Sequence, residues 1–359
     1  MKNKKTSVIM KKEKDGTEKG KPTVEVAGGL ENSLANFTVA RLGFELGAIS
    51  DIKLNEFSGS SIRGVMGRGL KTSCCRFGDM DQDCRGCLMS NDCCYRYVFE
   101  TPVEQCSEIM KKYTMAPHPF VMVLPDGGGG VVPANGDFSF GLTLIGRAIN
   151  YIDKYIECVE RMGRIGFGAY EPKGRFILKN VVSISHTGRR KYVYRDGMES
   201  VNLKPYLINF KRNILGKPGP SEKADGGVRR VRVSFKTPVR IQFEENIARK
   251  IDFHMIVRNL LRRVFHLNYF HVEGEKAELD FNNMIDAACE VRTVASEFKP
   301  YMVTRYSNRQ KRSHEFRGVT GDAVYEGENI GRFMPLLRLG QYINVGKTTA
   351  FGMGRYELI

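Results

Sequence analysis

Residues 340–359 read GQYINVGKTTAFGMGRYELI, in which the glycines are spaced G-x5-G-x5-G-x-G and a lysine directly follows the second glycine. Glycine has no Cβ, so its backbone reaches positive φ and can approach a bulky anion closely. Glycine-rich turns beside a cation are suited to binding phosphate oxygens. Because aromatic and apolar residues surround the last glycines, we expect a glycine-bearing terminal hairpin that contacts phosphate groups.

This motif does not have the spacing of a nucleotide-binding P-loop. A Walker A loop requires G-x4-G-K-[ST], and Gly340 lies one residue too far from Gly346. A P-loop also needs a helix after its lysine, because the N-terminus of that helix points at the phosphates. The residues after Lys347 favour a strand instead. The pattern therefore argues against ATP binding.

The chain carries a formal net charge of +16, which favours a polyanionic partner, although a solvated basic face is an alternative. The lysine-rich N-terminus lacks the apolar core of a signal peptide. No stretch approaches the roughly 18 apolar residues that a membrane-spanning helix needs. These features predict a cytoplasmic protein without a membrane partner.

The order of predicted elements is the same in both halves of the chain: a strand, a helix, and further strands that end in a glycine-rich turn. This order predicts an α+β fold with two tandem ferredoxin-like (RRM-like) domains and a cysteine-rich insert in the first. The predicted segments are a disordered basic tail (1–35), an N-terminal domain (36–215) with its insert (74–94), a linker (216–227) and a C-terminal domain (228–359).

Residues 305–317 read RYSNRQKRSHEFR, a basic run with interleaved aromatic residues. Arginine pairs with phosphate through its planar guanidinium, and aromatic rings can stack on unpaired bases. Together with the terminal glycine motif, this run predicts an RNA-binding surface. The predicted contact residues are Arg305, Arg309, Lys311, Arg312, Gly346, Lys347, Gly352, Gly354 and Arg355.

The insert contains Cys75, Cys84, Cys87 and Cys93 with the spacing C-x8-C-x2-C-x5-C. Four thiolates at this spacing can close a tetrahedral site, so the pattern predicts one structural zinc ion. Neighbouring cysteines at positions 74 and 94 could substitute for the outer ligands. An iron–sulfur cluster and free or paired thiols remain alternatives.

Histidines supply the candidates for catalysis. RNA provides its own nucleophile, the 2′-hydroxyl beside the scissile phosphate, so a protein needs only a base, an acid and cations. Histidine serves either proton transfer near neutral pH. His314 is the first candidate because it lies within the basic run. His118, between two prolines, is the second, and a turn histidine that hydrogen-bonds backbone is its alternative interpretation.

Several segments resemble the CRISPR-associated endoribonucleases that process precursor CRISPR RNA, the sixth Cas family of the RAMP (repeat-associated mysterious protein) superfamily. The resemblance extends over about residues 37–359. The similar segments are 60–67 (SSIRGVMG), the cysteine insert up to Tyr95 with 99–102 (FETP), 117–120 (PHPF), 305–312 (RYSNRQKR), 318–321 and 345–356.

The resemblance implies two ferredoxin-like domains that clasp a repeat RNA across a basic cleft. It also implies cleavage without a metal ion, which leaves a 2′,3′-cyclic phosphate and a 5′-hydroxyl. The processed guide RNA then enters an interference complex, in which other Cas effector subunits are possible partners.

Two positions depart from the family pattern. Many relatives carry histidine before the Val-Gly-Lys segment, where this chain has Asn344, and glycine after the lysine, where it has Thr348. Asparagine forms hydrogen bonds but cannot transfer a proton near pH 7. Proton transfer in this chain would therefore depend on His314 or His118, while Lys347, Arg309 and Lys311 remain as phosphate ligands.

We therefore expect a metal-independent endoribonuclease that matures CRISPR RNA. A non-catalytic RAMP subunit that binds repeat RNA is the first alternative. A zinc-stabilised nucleic-acid-binding adaptor unrelated to CRISPR is the second.

Overall fold

The computed structural model describes most of the chain after the lysine-rich N-terminus. Within these residues no helix combines the length and apolar character needed to cross a bilayer. The described ranges are 26–75, 84–103, 107–111, 113–124, 129–168, 172–197, 203–216, 229–272, 279–307 and 312–359.

The N-terminal domain is an antiparallel sheet with helices on one face. The sheet has the order β3-β5-β1-β6-β7, and the short β8 pairs with the start of β1. The elements are α1 (Val26–Ser33), β1 (Thr38–Ala48), β2 (Ile52–Leu54), α2 (Gly59–Cys74), α3 (Cys94–Phe99), β3 (Phe120–Val123), β4 (Gly130–Val132), β5 (Asp137–Ile145), α4 (Ile152–Ile165), β6 (Phe176–Ile184), β7 (Arg190–Arg195) and β8 (Ile208–Asn209).

Apolar side chains recur at every second position of β1, which explains why helices cover one face of this sheet. Leu42, Phe44 and Leu46 are two residues apart, so they point to the same side of the strand. All three are buried with Met66 of α2 and Val159 of α4. Strand β1, helix α2, strands β3 and β5, helix α4 and strand β6 thus form the β-α-β-β-α-β unit of a ferredoxin-like fold.

The C-terminal domain repeats this arrangement with the sheet order β12-β13-β9-β14. Its helices α5 and α7 occupy the two crossover positions of the ferredoxin-like unit. The elements are β9 (Arg230–Val239), β10 (Gln242–Phe243), β11 (Asn246–Ile247), α5 (Phe253–His271), α6 (Phe281–Cys289), β12 (Arg292–Ser307), β13 (Arg312–Glu326), α7 (Ile330–Ile343) and β14 (Tyr356–Leu358). The prediction of two ferredoxin-like domains is confirmed.

The outer halves of β12 and β13 extend beyond the sheet. Strand β13 pairs with β12 along nearly its whole length, from Arg312 to Glu326, but it pairs with β9 only from Val319 onward. Residues of β13 before Val319 therefore have β12 as their only strand partner among the described elements. This two-stranded ribbon carries part of the basic run.

The disordered tail was predicted to span residues 1–35, but its last residues are folded. Residues 1–25 lie outside the described part of the chain, but Val26–Ser33 form helix α1. Leu30 and Leu34 are one helical turn apart and fully buried in the core of the C-terminal domain. The Asn268 side chain of α5 also donates a hydrogen bond of 3.2 Å to the Ser33 carbonyl. The predicted linker at 216–227 falls almost entirely outside the described residues.

The two domains share buried apolar residues along their contact. One buried apolar cluster contains residues of both domains. It includes Val39, Val121 and Ile145 of the N-terminal sheet, together with Leu260 of α5 and Ile343 of α7. Burial of apolar area at about 25 cal/mol per Å² makes such a contact a major stabilising term. The domain arrangement is therefore set by the packing of α5 and α7 against the first sheet.

The predicted terminal hairpin is not present, because Gly340 lies inside α7 and β14 pairs with β9. Gly340 is needed for packing: a Cβ at this position would overlap the Tyr356 hydroxyl. That buried hydroxyl donates a hydrogen bond of 2.6 Å to the Leu337 carbonyl. The terminal motif is thus a helix, a glycine-rich loop and a strand.

Replacing Gly340 by alanine should destabilise the protein by about 1–3 kcal/mol, because the added methyl group overpacks the site of Tyr356. Gly64 in α2 is a matched control, since a Cβ there would meet no atom within 4 Å. Gly64→Ala should stabilise by about 0.5–1 kcal/mol through helix propensity. Urea denaturation measures both, and equal effects of the two substitutions would contradict this packing role.

Candidate nucleic-acid interface

The loop at residues 344–355, between α7 and β14, repeatedly adopts positive φ, as the glycine spacing predicts. Gly346 and Gly354 have φ values of 86° and 75°. A Cβ on Gly346 would meet the Arg240 carbonyl, and one on Gly354 would overlap the Val345 carbonyl. These glycines therefore fit the loop to neighbouring protein backbone, and their Cβ positions do not face open space.

The buried side chain of Asn344 joins the start of the loop to its end. Its backbone has φ of 58° and ψ of 167°, a conformation that residues other than glycine seldom adopt. Its side-chain amide donates a hydrogen bond of 2.9 Å to the Met353 carbonyl, and the residue is only 3% exposed. The residue that stands where many relatives carry histidine thus holds the two ends of the loop together.

The loop packs against the N-terminal domain. A Cβ on Gly59 of α2 would overlap the Phe351 carbonyl, so this glycine allows the backbones to approach closely. The Arg63 guanidinium lies 4.6 Å from the ring centre of Phe351 and 5.1 Å from that of Phe99 in α3. The segment that was predicted to be a hairpin contacting phosphate groups is therefore a loop that contacts α2, with Arg63 between it and the ring of Phe99. Half of the twelve loop residues are buried, and of the twelve only Lys347 is exposed.

His118 lies beside this contact and is hydrogen-bonded to a side chain. Arg63 Nη2 donates to His118 Nε2, and the imidazole packs between Phe99 and Phe120 with ring-centre distances of 6.0 and 5.5 Å. Burial lowers the pKa of His118 to about 3, and the charge of Arg63 acts in the same direction. The imidazole is therefore neutral at physiological pH.

Three cations of the C-terminal domain, Lys347, Arg240 and Arg262, interact at the loop. Lys347 is exposed, and its ammonium donates a hydrogen bond to Gln242 Oε1. Its pKa is lowered by partial burial and then by the charges of Arg240 and Arg262. Arg240 Nη1 donates a bond of 3.1 Å to Thr348 Oγ1. Within the described residues none of these three cations forms an ion pair with a carboxylate.

Arg263 is a further cation of the C-terminal domain, and its charge also acts on neighbouring histidines. Its Nε donates a bond of 2.9 Å to the Ile343 carbonyl at the end of α7, while Nη2 is buried without an acceptor among the described residues. Burial lowers the pKa of Arg263 to about 9. Its charge also lowers the pKa of His118 and of His266. We call the following residues the cationic boundary cluster: Arg63, His118, Arg240, Arg262, Arg263, His266, His271 and Lys347.

His271 fixes the end of α5 to the N-terminal domain. Its Nε2 donates a bond of 2.7 Å to the Pro117 carbonyl, and its Nδ1 accepts one of 3.2 Å from the Tyr97 hydroxyl. Burial lowers the pKa of His271 to about 4, although the Pro117 hydrogen bond opposes this shift. Like His118, it is a neutral imidazole in the folded protein at pH 7.

The basic run reaches this cluster through Phe316. The ring of Phe316 lies 5.7 Å from that of Phe351, and the Arg240 guanidinium lies 5.3 Å from the Phe316 ring centre. His314 lies in β13 two residues before Phe316, but the structure does not describe the His314 side chain. His314 pairs with Arg305 in the backbone register.

The remaining predicted RNA contacts lie at different places. Arg309 and Lys311 are outside the described residues, and Arg312 begins β13, but the structure does not describe its side chain. Gly352 is buried against Leu124. The Arg355 side chain has a carboxylate partner, Glu357, at 3.4 Å. Lys347 is therefore the predicted phosphate ligand that the described structure brings to the cluster most directly.

The four predicted zinc ligands, Cys75, Cys84, Cys87 and Cys93, all line one cavity of the N-terminal domain. Within the described ranges no three His, Cys, Asp or Glu side chains are already arranged to hold a metal ion. The zinc interpretation therefore remains a prediction.

Sequence reasoning did not assign roles to Arg63, Arg240, Arg262 and Arg263. Arg63 lies in the similar segment 60–67, and Arg262 and Arg263 lie side by side on an amphipathic helix. These signals were visible, but none of them indicates that the four residues lie near one loop. That arrangement depends on how α2, α5 and the segment after β9 pack around the loop.

Acidification should destabilise the folded protein between pH 6.5 and 5. The pKa values of His118, His266 and His271 are lowered to about 3, 4 and 4, so the unfolded chain binds protons below about pH 6.5 that the folded chain does not. Each such proton reduces the free energy of unfolding by about 1.4 kcal/mol per pH unit. Urea titrations of the wild type and of His118→Gln, which should show a shallower slope, test this. Equal slopes would exclude His118 from the effect.

Family models match both domains. Residues 233–356 match the model described as CRISPR-associated endoribonuclease Cas6, and residues 37–206 match a model described as an N-terminal domain. No curated protein matches the sequence of this chain. The match of the C-terminal domain favours a CRISPR-associated protein over an adaptor unrelated to CRISPR.

Solved structures with the same fold carry Cas6 in their names. A Cas6 product complex from Thermus thermophilus is 13% identical, with a TM-score of 0.51, and the match covers 90% of this chain and 99% of that one. The partial Cas6-RT-Cas1–Cas2 complex is 10% identical, with a TM-score of 0.55, and the match covers 90% of this chain and 46% of that longer one. Identities this low show a shared fold only. The family match itself places the C-terminal domain, residues 233–356, among the CRISPR-associated endoribonucleases described as Cas6.

Proposed function

We propose that the chain is an endoribonuclease that cuts CRISPR repeat RNA into guide RNAs at the cationic boundary cluster. The observation that carries this proposal is the group of Lys347, Arg240 and Arg262, whose like charges lie together without a carboxylate partner in the described structure. Mutual repulsion raises the free energy of such a group, and a bound phosphate lowers it. An RNA backbone supplies phosphates in series.

Two buried guanidinium donors support the same proposal. Arg240 Nε and Arg263 Nη2 have no acceptor among the described residues. A buried donor left unpaired costs about 1–3 kcal/mol, so an incoming phosphate oxygen is a favourable partner. Charge-assisted bonds from arginine to phosphate are about twice as strong as neutral ones. The donors flank the same loop as Lys347.

The proposed chemistry uses the RNA 2′-hydroxyl as nucleophile. A general base takes the proton from the 2′-oxygen, which attacks the neighbouring phosphorus while the bond to the 5′-oxygen breaks. A general acid gives a proton to that 5′-oxygen, so the products are a 2′,3′-cyclic phosphate and a 5′-hydroxyl. Cations stabilise the charge that develops on the phosphoryl oxygens, and this mechanism has no step that requires a metal ion.

His314 and His118 are the candidates for the two proton transfers. His314 lies in β13 two residues before Phe316, whose ring contacts Phe351 of the loop. His118 is neutral, and its Nε2 accepts a hydrogen bond from Arg63. A phosphate that bound Arg63 would compete for the guanidinium and release Nε2 to accept a proton. The same phosphate would raise the pKa of His118 from its low value.

A non-catalytic RAMP subunit that binds repeat RNA is the second candidate. Asn344 favours it, because this residue cannot transfer protons and its amide is already used inside the loop. In either case the partners are CRISPR repeat RNA and other Cas proteins, and the site of action is the cytoplasm, where transcripts are processed.

Labelled repeat RNA should be cut at one position by the wild type during a short incubation with EDTA. His314→Ala should reduce the single-turnover rate by about 10²–10⁴-fold, the usual range for a lost general acid or base, with little change in affinity. His118→Gln should also slow the reaction. The matched control is His254→Ala, whose imidazole packs on Phe243 outside the cluster.

Two results would contradict the enzymatic proposal. Tight binding without any cut by the wild type would favour the non-catalytic subunit. An unchanged rate in His314→Ala would remove that residue from the mechanism.

Lys347→Ala should weaken RNA binding and reduce the slope of log affinity against log salt by about one, because one phosphate contact is lost. Arg309→Ala should act similarly if the basic run contacts the same strand. Lys111→Ala, at an exposed turn of the N-terminal domain, is the matched control. Filter binding from low to moderate salt measures the slopes. Identical slopes in Lys347→Ala and Lys111→Ala would exclude Lys347 from phosphate binding.

A further inference from the structure

The described central part of the cysteine-rich insert, residues 84–93, is not held by an apolar core. Between Cys84 and Cys93, no side chain that the structure describes is fully buried. Leu88 is 96% exposed and Met89 is 37% exposed. Ordering a residue costs about 1–2 kcal/mol of backbone entropy, which hydrophobic burial does not offset here. The insert therefore needs a different source of order.

Six cysteines surround one cavity next to this insert. The cavity has a volume of about 520 Å³, and its walls come from the end of α2, the insert, the start of α3 and the start of α4. None of the six forms a disulfide within the described residues. They are Cys74, Cys75, Cys84, Cys87, Cys93 and Cys94.

Two of these thiols already have each other as partners. Cys74 and Cys94 are joined by a side-chain hydrogen bond, and Cys94 is only 5% exposed. Residues 74 and 94 lie in α2 and α3, so this pair fastens one helix to the other. The remaining four thiols are all partly exposed at the cavity wall.

The central pair has the local geometry of a metal-binding turn. Cys84–Gly86 form a short 3₁₀ turn, and the Cys87 amide donates a hydrogen bond of 3.4 Å to the Cys84 carbonyl. This turn brings the two ends of a C-x2-C segment together, which is the ligand spacing of structural zinc sites. Cys75 follows the last residue of α2, and Cys93 precedes the first residue of α3. The outer thiols are thus placed by the helices that frame the insert.

We propose that Cys75, Cys84, Cys87 and Cys93 bind one zinc ion as four thiolates. Zinc–sulfur bonds of about 2.3 Å place tetrahedral sulfurs roughly 3.8 Å apart, so the cavity must contract around the ion. The described residues hold no preformed three-ligand site. Zinc binding and ordering of the insert are therefore one coupled step, in which the thiols release their protons to solvent. Lys71 lines the same cavity and offsets part of the negative charge of the four-thiolate site.

The site would position α3 beside the cationic boundary cluster. Cys93 directly precedes α3, whose Tyr97 and Phe99 contact His271 and His118 with ring-centre distances of 5.6 and 6.0 Å. Zinc bound at Cys93 would fix the start of α3. Two aromatic residues later in this short helix contact histidines of the cluster. Any effect of zinc on cleavage rests on the proposed function, whereas metal binding itself does not.

Elemental analysis of the purified full-length protein tests the proposal directly, and we expect about one zinc per chain. Cys84→Ser and Cys93→Ser should reduce the zinc content at least tenfold. Two controls should retain it: Cys289→Ser, at an exposed thiol outside the cavity, and Cys74→Ser, at the hydrogen-bonded pair. Zinc loss in Cys74→Ser equal to that in Cys84→Ser would overturn the proposed ligand set.

A second measurement does not require the variants to fold. Protein freed of metal with a strong chelator is titrated with zinc while reactive thiols are counted with a disulfide reagent. We expect four thiols to become protected per bound zinc, together with slower proteolysis between residues 75 and 93. Stoichiometric iron with visible absorbance, or no protection of thiols by zinc, would overturn the proposal. Neither measurement depends on RNA cleavage. A failure of the zinc proposal can therefore be distinguished from a failure of the proposed nuclease function.

Discussion

The cationic boundary cluster depends on one contact, the stacking of Arg63 between two aromatic rings. The guanidinium lies 4.6 Å from the centre of Phe351, in the C-terminal loop, and 5.1 Å from that of Phe99, in α3 of the other domain. A planar, weakly hydrated cation can stack on both rings while its edge donates hydrogen bonds. Because Arg63 also donates to His118, it fixes the loop, α3 and an imidazole relative to one another.

Around this contact, folding concentrates positive charge where two domains meet. Arg263 is partly buried with one unpaired donor among the described residues, and the charges of Arg240 and Arg262 both act on Lys347. The same burial keeps the neighbouring histidines neutral, so they do not add to the repulsion at pH 7. A site of this kind is destabilised when empty and becomes more favourable when a polyanion supplies the missing negative charge. The uncharged imidazoles then lie beside the phosphates, where their pKa values would rise.

The sequence predicted the two ferredoxin-like domains because strand and helix periodicities are local signals that occur in the same order in each half. It predicted positive φ in the terminal motif for the same reason. It did not predict that Gly340 packs under Tyr356 or that the loop is buried against α2, since both depend on contacts between distant segments. The cluster was only partly predicted: Lys347 and His118 were named, whereas Arg63 and Arg263 acquire their roles only when α2 and α5 approach the loop.

The central claim is that an RNA strand lies across the domain boundary beside the loop at 344–355. Photo-crosslinking of the full-length protein to repeat RNA with a 2′-deoxy group at the scissile position tests it most directly, because this RNA binds without being cut. We predict crosslinks at the exposed end of the loop around Lys347 and on the exposed face of α5 around Arg262. Crosslinks confined to surfaces away from both segments, with salt-sensitive binding intact, would contradict the account.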